Sequence, residues 1–269
     1  MHNAKCAAMH LDMWCAKADW LSAMVSAIKA GAIIPDPEKA SRDYSGTGYE
    51  TVGSLAVVPL NGPLMKGWSK YGGTSTLWAR AAIRNANADD KIRGIMLHID
   101  SPGGTSAGTA ELGDDIANSQ KPIHAHIADL GASAAYWAAS QADYVTMNRA
   151  GFAGSIGVYA SIYDTSGAAE AQGVKVHVVS TGPYKGAGED GAPVTEEQIA
   201  HWQDVVNQHF KLFEAAVRGG RRMLKSTFEK VSDGRVFGAE ESKSLGLIDD
   251  VASFEKALIR LKNAKAKGE

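Results

Sequence analysis

Residues 94–142 read GIMLHIDSPGGTSAGTAELGDDIANSQKPIHAHIADLGASAAYWAASQA, and this stretch decides the fold. Gly94 to Ile99 is a short, almost wholly apolar run that ends in the turn Asp100-Ser-Pro-Gly-Gly104. A helical pattern over 106–118 follows, then a second apolar run from Ile123 to Ile127 and a second Gly-bearing turn, Asp129-Leu-Gly-Ala-Ser133. A further helical pattern covers 133–142. Strand, turn, helix, strand, turn, helix is the signature of βαβ units and a mostly parallel sheet covered by helices.

The alternation extends in both directions. Leu55–Leu60, Tyr144–Met147 and Val174–Val179 are the other expected strands, and Thr76–Ala86 and Thr195–Val217 the other expected helices. The fold class is therefore α/β. In such folds sites form beyond the carboxyl ends of strands, where both Gly-bearing turns fall. Upstream, Leu11, Trp14, Leu21, Met24, Val25 and Ile28 recur at helical spacing until Pro35 and Pro37 stop the pattern. The polar, Gly-containing stretch with Ser41, Asp43, Ser45, Gly46 and Gly48 reads as an arm. The expected organisation is an amphipathic helix and flexible arm over 1–53, a main domain over 54–253, and a helix end with a basic tail (Lys262, Lys265, Lys267) over 254–269.

A hydrophobic content of 45% in 269 residues is enough for a sizeable core. Twenty-eight basic against 30 acidic residues give a formal charge of -2, which argues against nucleic acid as partner. The two cysteines, Cys6 and Cys15, lack the companions a structural zinc site needs, and point to a reducing compartment. Met13 to Ile34 is interrupted by Lys17, Asp19 and Lys29, and Asp12 and Asp19 fall where a secretory signal would be apolar. The expectation is a protein with no membrane anchor that stays in the compartment where it is made.

Gly131-Ala-Ser133-Ala-Ala135 places a serine hydroxyl where a strand turns into a helix, with small neighbours that let a substrate backbone approach. The same residues also suit a serine that merely caps the helix. The paired glycines of Ser101-Pro-Gly-Gly104 allow consecutive backbone N–H groups to face a ligand, as an oxyanion hole requires, yet they also suit an ordinary turn. A serine nucleophile needs a base. Lys185, in Gly182-Pro-Tyr-Lys-Gly186, qualifies if it works as a neutral amine; His177 would permit a Ser-His-Asp arrangement, although it reads as one face of a strand. His98, His124 and His126 are embedded in strands, with no third ligand nearby for a metal.

Taken in order, these segments resemble the S49 (signal-peptide-peptidase) family. Ile95-Met-Leu-His-Ile-Asp100-Ser-Pro-Gly-Gly104 is similar to its oxyanion turn, and Gly131-Ala-Ser133-Ala-Ala-Tyr-Trp to its nucleophile helix. Gly154-Ser155-Ile-Gly-Val158, Gly182-Pro-Tyr-Lys185 with Thr195-Glu-Glu-Gln, and Asp233-Gly-Arg-Val-Phe237 with Ser244-Leu-Gly-Leu-Ile-Asp249 resemble the later signatures. The resemblance covers about Leu55 to Ser253. It implies a Clp-protease/crotonase-like fold of repeated ββα and βαβ units, and a serine endopeptidase with a Ser-Lys dyad that needs no cofactor. On this resemblance Ser133 is the nucleophile and Lys185, 52 residues later, the base; Ser155 orients the lysine, and the N–H groups of Gly104 and Ala134 form the oxyanion hole. Asp100 braces its turn.

The absence of an anchor and the N-terminal helix with Trp14 and Trp20 resemble the shorter members encoded by tailed phages and prophages, which process capsid or scaffold proteins. That resemblance implies a polypeptide substrate, a homo-oligomer, and a place in the host cytoplasm or the assembling prohead. The alternatives are a soluble signal-peptide or quality-control peptidase, a crotonase-like acyl-CoA enzyme, a non-catalytic assembly module, and the Ser-His-Asp hydrolase using His177.

Overall fold

The computed structural model describes residues 14–16, 18–30, 46–69 and 72–266. Its strands are β1 (Trp14–Ala16), β2 (Glu50–Val52), β3 (Leu55–Asn61), β4 (Leu64–Met65), β5 (Thr74–Ser75), β6 (Gly94–Ser101), β7 (Gly103–Thr105), β8 (Ile123–Ala132), β9 (Tyr144–Met147), β10 (Phe152–Gly154), β11 (Val236–Gly238) and β12 (Asp250–Val251). Its helices are α1 (Ala18–Lys29), α2 (Thr76–Ala88), α3 (Thr109–Ala117), α4 (Ala134–Ser140), α5 (Ser166–Ala171), α6 (Glu196–Gly220), α7 (Lys225–Phe228), α8 (Ala239–Ser244) and α9 (Phe254–Lys262). They divide into a larger unit, Cys15–Gly157 with Leu212–Glu269, and a smaller one, Met1–Trp14 with Val158–Lys211.

In the larger unit the main sheet runs β11-β10-β8-β6-β3-β2, with β9 on β8 and β12 on β9. The interior pairs are parallel, and antiparallel pairing is confined to the outer strands β2 and β11. A parallel sheet needs cover on both faces, and β6 is accordingly buried along most of its length. Leu55, Val57 and Met96 face Ala257, Leu261, Phe254 and Leu258 of α9. The alternate set, Ala56, Val58, Leu60, Ile95, Leu97 and Ile99, points the other way by the two-residue period of a strand. There α2 packs on β3, and α2, α3 and α4 pack in sequence, with Ala79, Ile83, Leu112 and Ile116 buried. Ser75 caps α2 by accepting from Trp78 N–H at 3.3 Å.

Strand β8 is the hinge of the layout. Its first half, His124–Ile127, pairs with β9, whereas Leu130–Ala132 pairs with β10. Against β6 the register slips, since Ile99 faces Ile127 but Ser101 faces Gly131. Two extra residues on β8 form a bulge there, which bends the strand and re-aims the turn at its end. A second small sheet runs β1-β7-β4-β5.

In the smaller unit Trp14 and Tyr159 exchange both backbone hydrogen bonds, at 3.0 and 3.1 Å. The strand expected over Val174–Val179 is not formed: the segment has no regular structure, and Val174, Val178 and Val179 are exposed. An apolar run becomes a strand only where another strand takes up its N–H and C=O groups. The single helix expected over 11–30 is likewise divided into β1 and α1, while residues 11–13, Cys6, Lys267 and the polar arm at 41–45 lie outside the described residues. So does the side chain of Trp20, whereas Trp14 is buried.

Candidate active site

At the end of β8 the chain turns sharply into α4, and Ser133 sits on the turn with φ 54° and ψ -117°. Only three non-glycine residues among those described have positive φ: Ser133, Ser155 and Arg222. A side chain in that region is strained, and here it is held by neighbours. Ser133 N–H donates to Gly154 O at 2.7 Å, and Ser133 O accepts from Trp137 N–H at 2.8 Å. The hydroxyl makes no capping bond to α4. Ser133 is 1% exposed and its Oγ has no hydrogen-bond partner. The reading of this serine as a simple helix cap therefore does not describe it.

The Ser-Pro-Gly-Gly turn lies against this serine. Gly103 has φ 97°, and a Cβ there would come within 2.9 Å of both Ser133 Cβ and Ala132 O. Its N–H donates to Ser101 Oγ at 3.2 Å. Gly104 pairs with Leu64 across β7 and β4, with no room for a side chain against the Leu64 backbone. Ala134 is the first residue of α4, and the opening N–H groups of a helix have no acceptor within it.

Ser155 belongs to the same cluster. It is buried with φ 51°, and its N–H donates to Arg235 O at 2.6 Å. Gly154, next to it, has φ 122°, and a Cβ would meet Arg235 O at 2.7 Å. β11, which starts just after Arg235, pairs antiparallel with β10. The Asp233-Gly-Arg-Val-Phe237 segment thus supports the Ser155 turn through a main-chain carbonyl, and Gly154 supports the Ser133 turn in the same way. The Ser244–Asp249 segment is structural: Asp249 accepts from Val145 N–H at 2.7 Å and from both terminal nitrogens of Arg221 at 2.8 and 2.9 Å, while Tyr136 OH donates to Leu247 O at 2.8 Å. Sequence reasoning did not single out the Gly154 and Arg235 carbonyls, because every residue carries one and no side-chain pattern marks them.

Lys185 and His177 lie in the smaller unit, so the expected site residues divide as Ser133, Ala134, Gly104 and Ser155 on one side and Lys185 on the other. Both Lys185 and His177 are exposed, and both line a depression of about 310 Å³ with Val176, Val178, Pro183 and Gln198. The lysine segment is anchored to α6. Thr195 and Gln198 form a reciprocal capping box, with Thr195 N–H donating to Gln198 Oε1 at 3.1 Å and Gln198 N–H to Thr195 Oγ1 at 3.2 Å. Gln198 Nε2 then donates to Pro183 O at 2.7 Å, and Tyr184 OH to Glu197 Oε1 at 2.7 Å.

The strand histidines form a packed face. His98 stacks on His126 at 6.2 Å, and Phe254 of α9 closes on His98 at 4.8 Å. Burial pushes His124 and His126 down to about 4, so both are neutral core groups at pH 7. Among the described residues no group of three or more His, Cys, Asp or Glu is placed to hold a metal. Asp100 takes part in its turn through the main chain, its carbonyl accepting from Gly62 N–H at 2.9 Å.

Comparison with known proteins identifies relatives of the chain. Protease 4 of Salmonella typhi is 28% identical over 222 residues, covering 81% of this chain and 36% of that protein. Capsid assembly protease C of Escherichia phage lambda is 27% identical over 228 residues, covering 80% and 50%. The head-tail preconnector protein of Enterobacteria phage P21 is 28% identical over 218 residues, covering 78% and 43%. The chain thus spans from about a third to half the length of these relatives. No described helix is long and apolar enough to cross a membrane. The model of "Peptidase family S49" matches residues 115–267, more than half of the sequence, and the chain belongs to that family.

Proposed function

We propose that this chain is a serine endopeptidase with a Ser133–Lys185 dyad that processes capsid or scaffold proteins during phage head maturation. The observation that carries the reading is Ser133 itself: a strained, buried hydroxyl without a partner, on a strand-to-helix turn against the Gly103–Gly104 backbone. Such geometry disfavours the resting protein and suits a group whose partner arrives with the substrate.

In the mechanism, Ser133 Oγ bonds to the scissile carbonyl carbon as Lys185 Nζ accepts the hydroxyl proton. The oxyanion is held by the N–H groups of Gly104 and Ala134, and Ser155 orients the lysine. Collapse breaks the C–N bond and Lys185 returns the proton to the leaving amine. Water then hydrolyses the acyl ester, and no cofactor is required. The finer fold is of the Clp-protease/crotonase type. The substrate setting is supported by the lambda and P21 relatives, which align over most of this chain. The working form is a homo-oligomer enclosing its sites, in the host cytoplasm or the assembling prohead.

Wild type, Ser133→Ala and Lys185→Ala are to be compared on an unfolded polypeptide and on co-expressed capsid and scaffold proteins, with circular dichroism showing that all three are folded. Both variants are expected to lose at least about 1,000-fold in cleavage rate. A folded Lys185→Ala protein with full activity removes the dyad and favours His177; cleavage unaffected by Ser133→Ala removes the nucleophile.

A further inference from the structure

Strand β1 is three residues long and forms the outer strand of the small sheet, on the edge of β7. Strand β7 is Gly103–Thr105, the segment that leaves the turn beside Ser133. Cys15, Ala16, β7 and Ser133 all belong to the larger unit. The Cys15 carbonyl lies so close to the Gly103 α-carbon that a Cβ at 103 would collide with it, and that Cβ would also meet Ser133 Cβ at 2.9 Å. Two segments therefore converge on Gly103: β1 and the end of β8 with the serine turn that follows it. Cys15 is 0% exposed, and Ser133 has almost no exposed surface.

An extended polypeptide joins a sheet by pairing with an unoccupied edge. To be attacked, its carbonyl carbon has to reach within about 3–3.5 Å of the serine oxygen. The edge that passes Ser133 is already taken by the chain's own strand.

We propose that β1 is a built-in pseudosubstrate strand: it holds the β7 edge where an extended polypeptide must pair to reach Ser133, and a polypeptide is cut only after β1 has left. This inference rests on the reading of Ser133 as nucleophile. At three residues β1 is short enough to be exchanged for a longer strand once the Trp14–Tyr159 backbone bonds also open. The Cys15 thiol, pushed up to about 12 by burial, is unreactive while β1 is seated and becomes a reporter once it is displaced.

Two measurements on the full chain test the strand. In the first, Cys15→Pro removes the N–H and disfavours edge pairing, and cleavage of an unfolded polypeptide is timed. If β1 leaves less than a tenth of the time, freeing the edge raises the rate at least about tenfold. A folded Cys15→Pro protein that cleaves no faster than an active wild type overturns the pseudosubstrate and leaves the peptidase reading standing. The second needs no catalysis: alkylation of Cys15 in the Ser133→Ala protein is followed by peptide mass, with and without carboxymethylated, unfolded lactalbumin. A rise of about tenfold with the polypeptide is expected. An unchanged rate overturns the proposal, whether or not Cys15→Pro folds. Absence of cleavage by both wild type and Cys15→Pro counts against the nucleophile, and the alkylation result then decides the strand alone.

Discussion

Ser133 carries two costs that a structural serine would avoid. A non-glycine residue in a sparsely populated backbone region costs about 1–3 kcal/mol, and a buried hydroxyl without a partner adds a desolvation penalty of similar size. Removing the hydroxyl is therefore expected to stabilise the fold. Ser133→Ala should melt higher than wild type, by about 1 kcal/mol in unfolding free energy; a lower melting point would mean that the hydroxyl is bonded in the resting protein. Gly103 is sensitive in the opposite direction. The Cβ of Gly103→Ala would meet Ala132 O and Ser133 Cβ at 2.9 Å, so unfolding should become easier by about 1–3 kcal/mol. The displaced serine should also cost about 100-fold in cleavage. Unchanged stability together with unchanged cleavage would show that the turn does not feel the added methyl.

Strands β6 and β8 with helix α9 form a layer whose stability depends on pH through two histidines. His124 faces Tyr144, with Asp143, Asp249 and Arg260 in its electrostatic surroundings; His126 has Thr146 Oγ1 at 2.9 Å, with His98, Phe254 and Glu255 around it. Both titrate at about 4 in the folded chain, below the ordinary 6.5, because burial disfavours the charged ring. Between those values the unfolded chain binds protons that the folded chain refuses, so stability falls as pH drops from 6.5 towards 4. Each histidine should remove about 2 kcal/mol between about pH 7.5 and about pH 5. Urea midpoints at the two pH values check this, and a His124→Gln variant should show a shallower loss; equal slopes would mean that the ring is protonated in place.

The whole molecule joins two units built differently. The larger has continuous layers of buried aliphatic residues, whereas between Val158 and Lys211 only Ala192 is buried, and Val179 is 96% exposed. Local opening should therefore be far easier in the smaller unit. Amides of residues 174–180 are expected to exchange with deuterium at least about 1,000-fold faster than those at the centre of β6 and β8; equal protection would refute this difference. The alternation of strands and helices over residues 55–147 was legible in the sequence, as were the two Gly-bearing turns and the position of Ser133 between a strand and a helix. Periodicity and turn chemistry are local properties, carried by neighbouring residues. Other features were decided only by tertiary structure. Trp14–Ala16 became a strand on β7 instead of part of a helix, Val174–Val179 formed no strand, and β8 acquired its bulge. The carbonyls of Gly154 and Arg235 came to hold the two serine turns. Each of these depends on main-chain groups far apart in the chain meeting one another, and because every residue carries such groups, side-chain patterns leave their partners unspecified until the layers are packed.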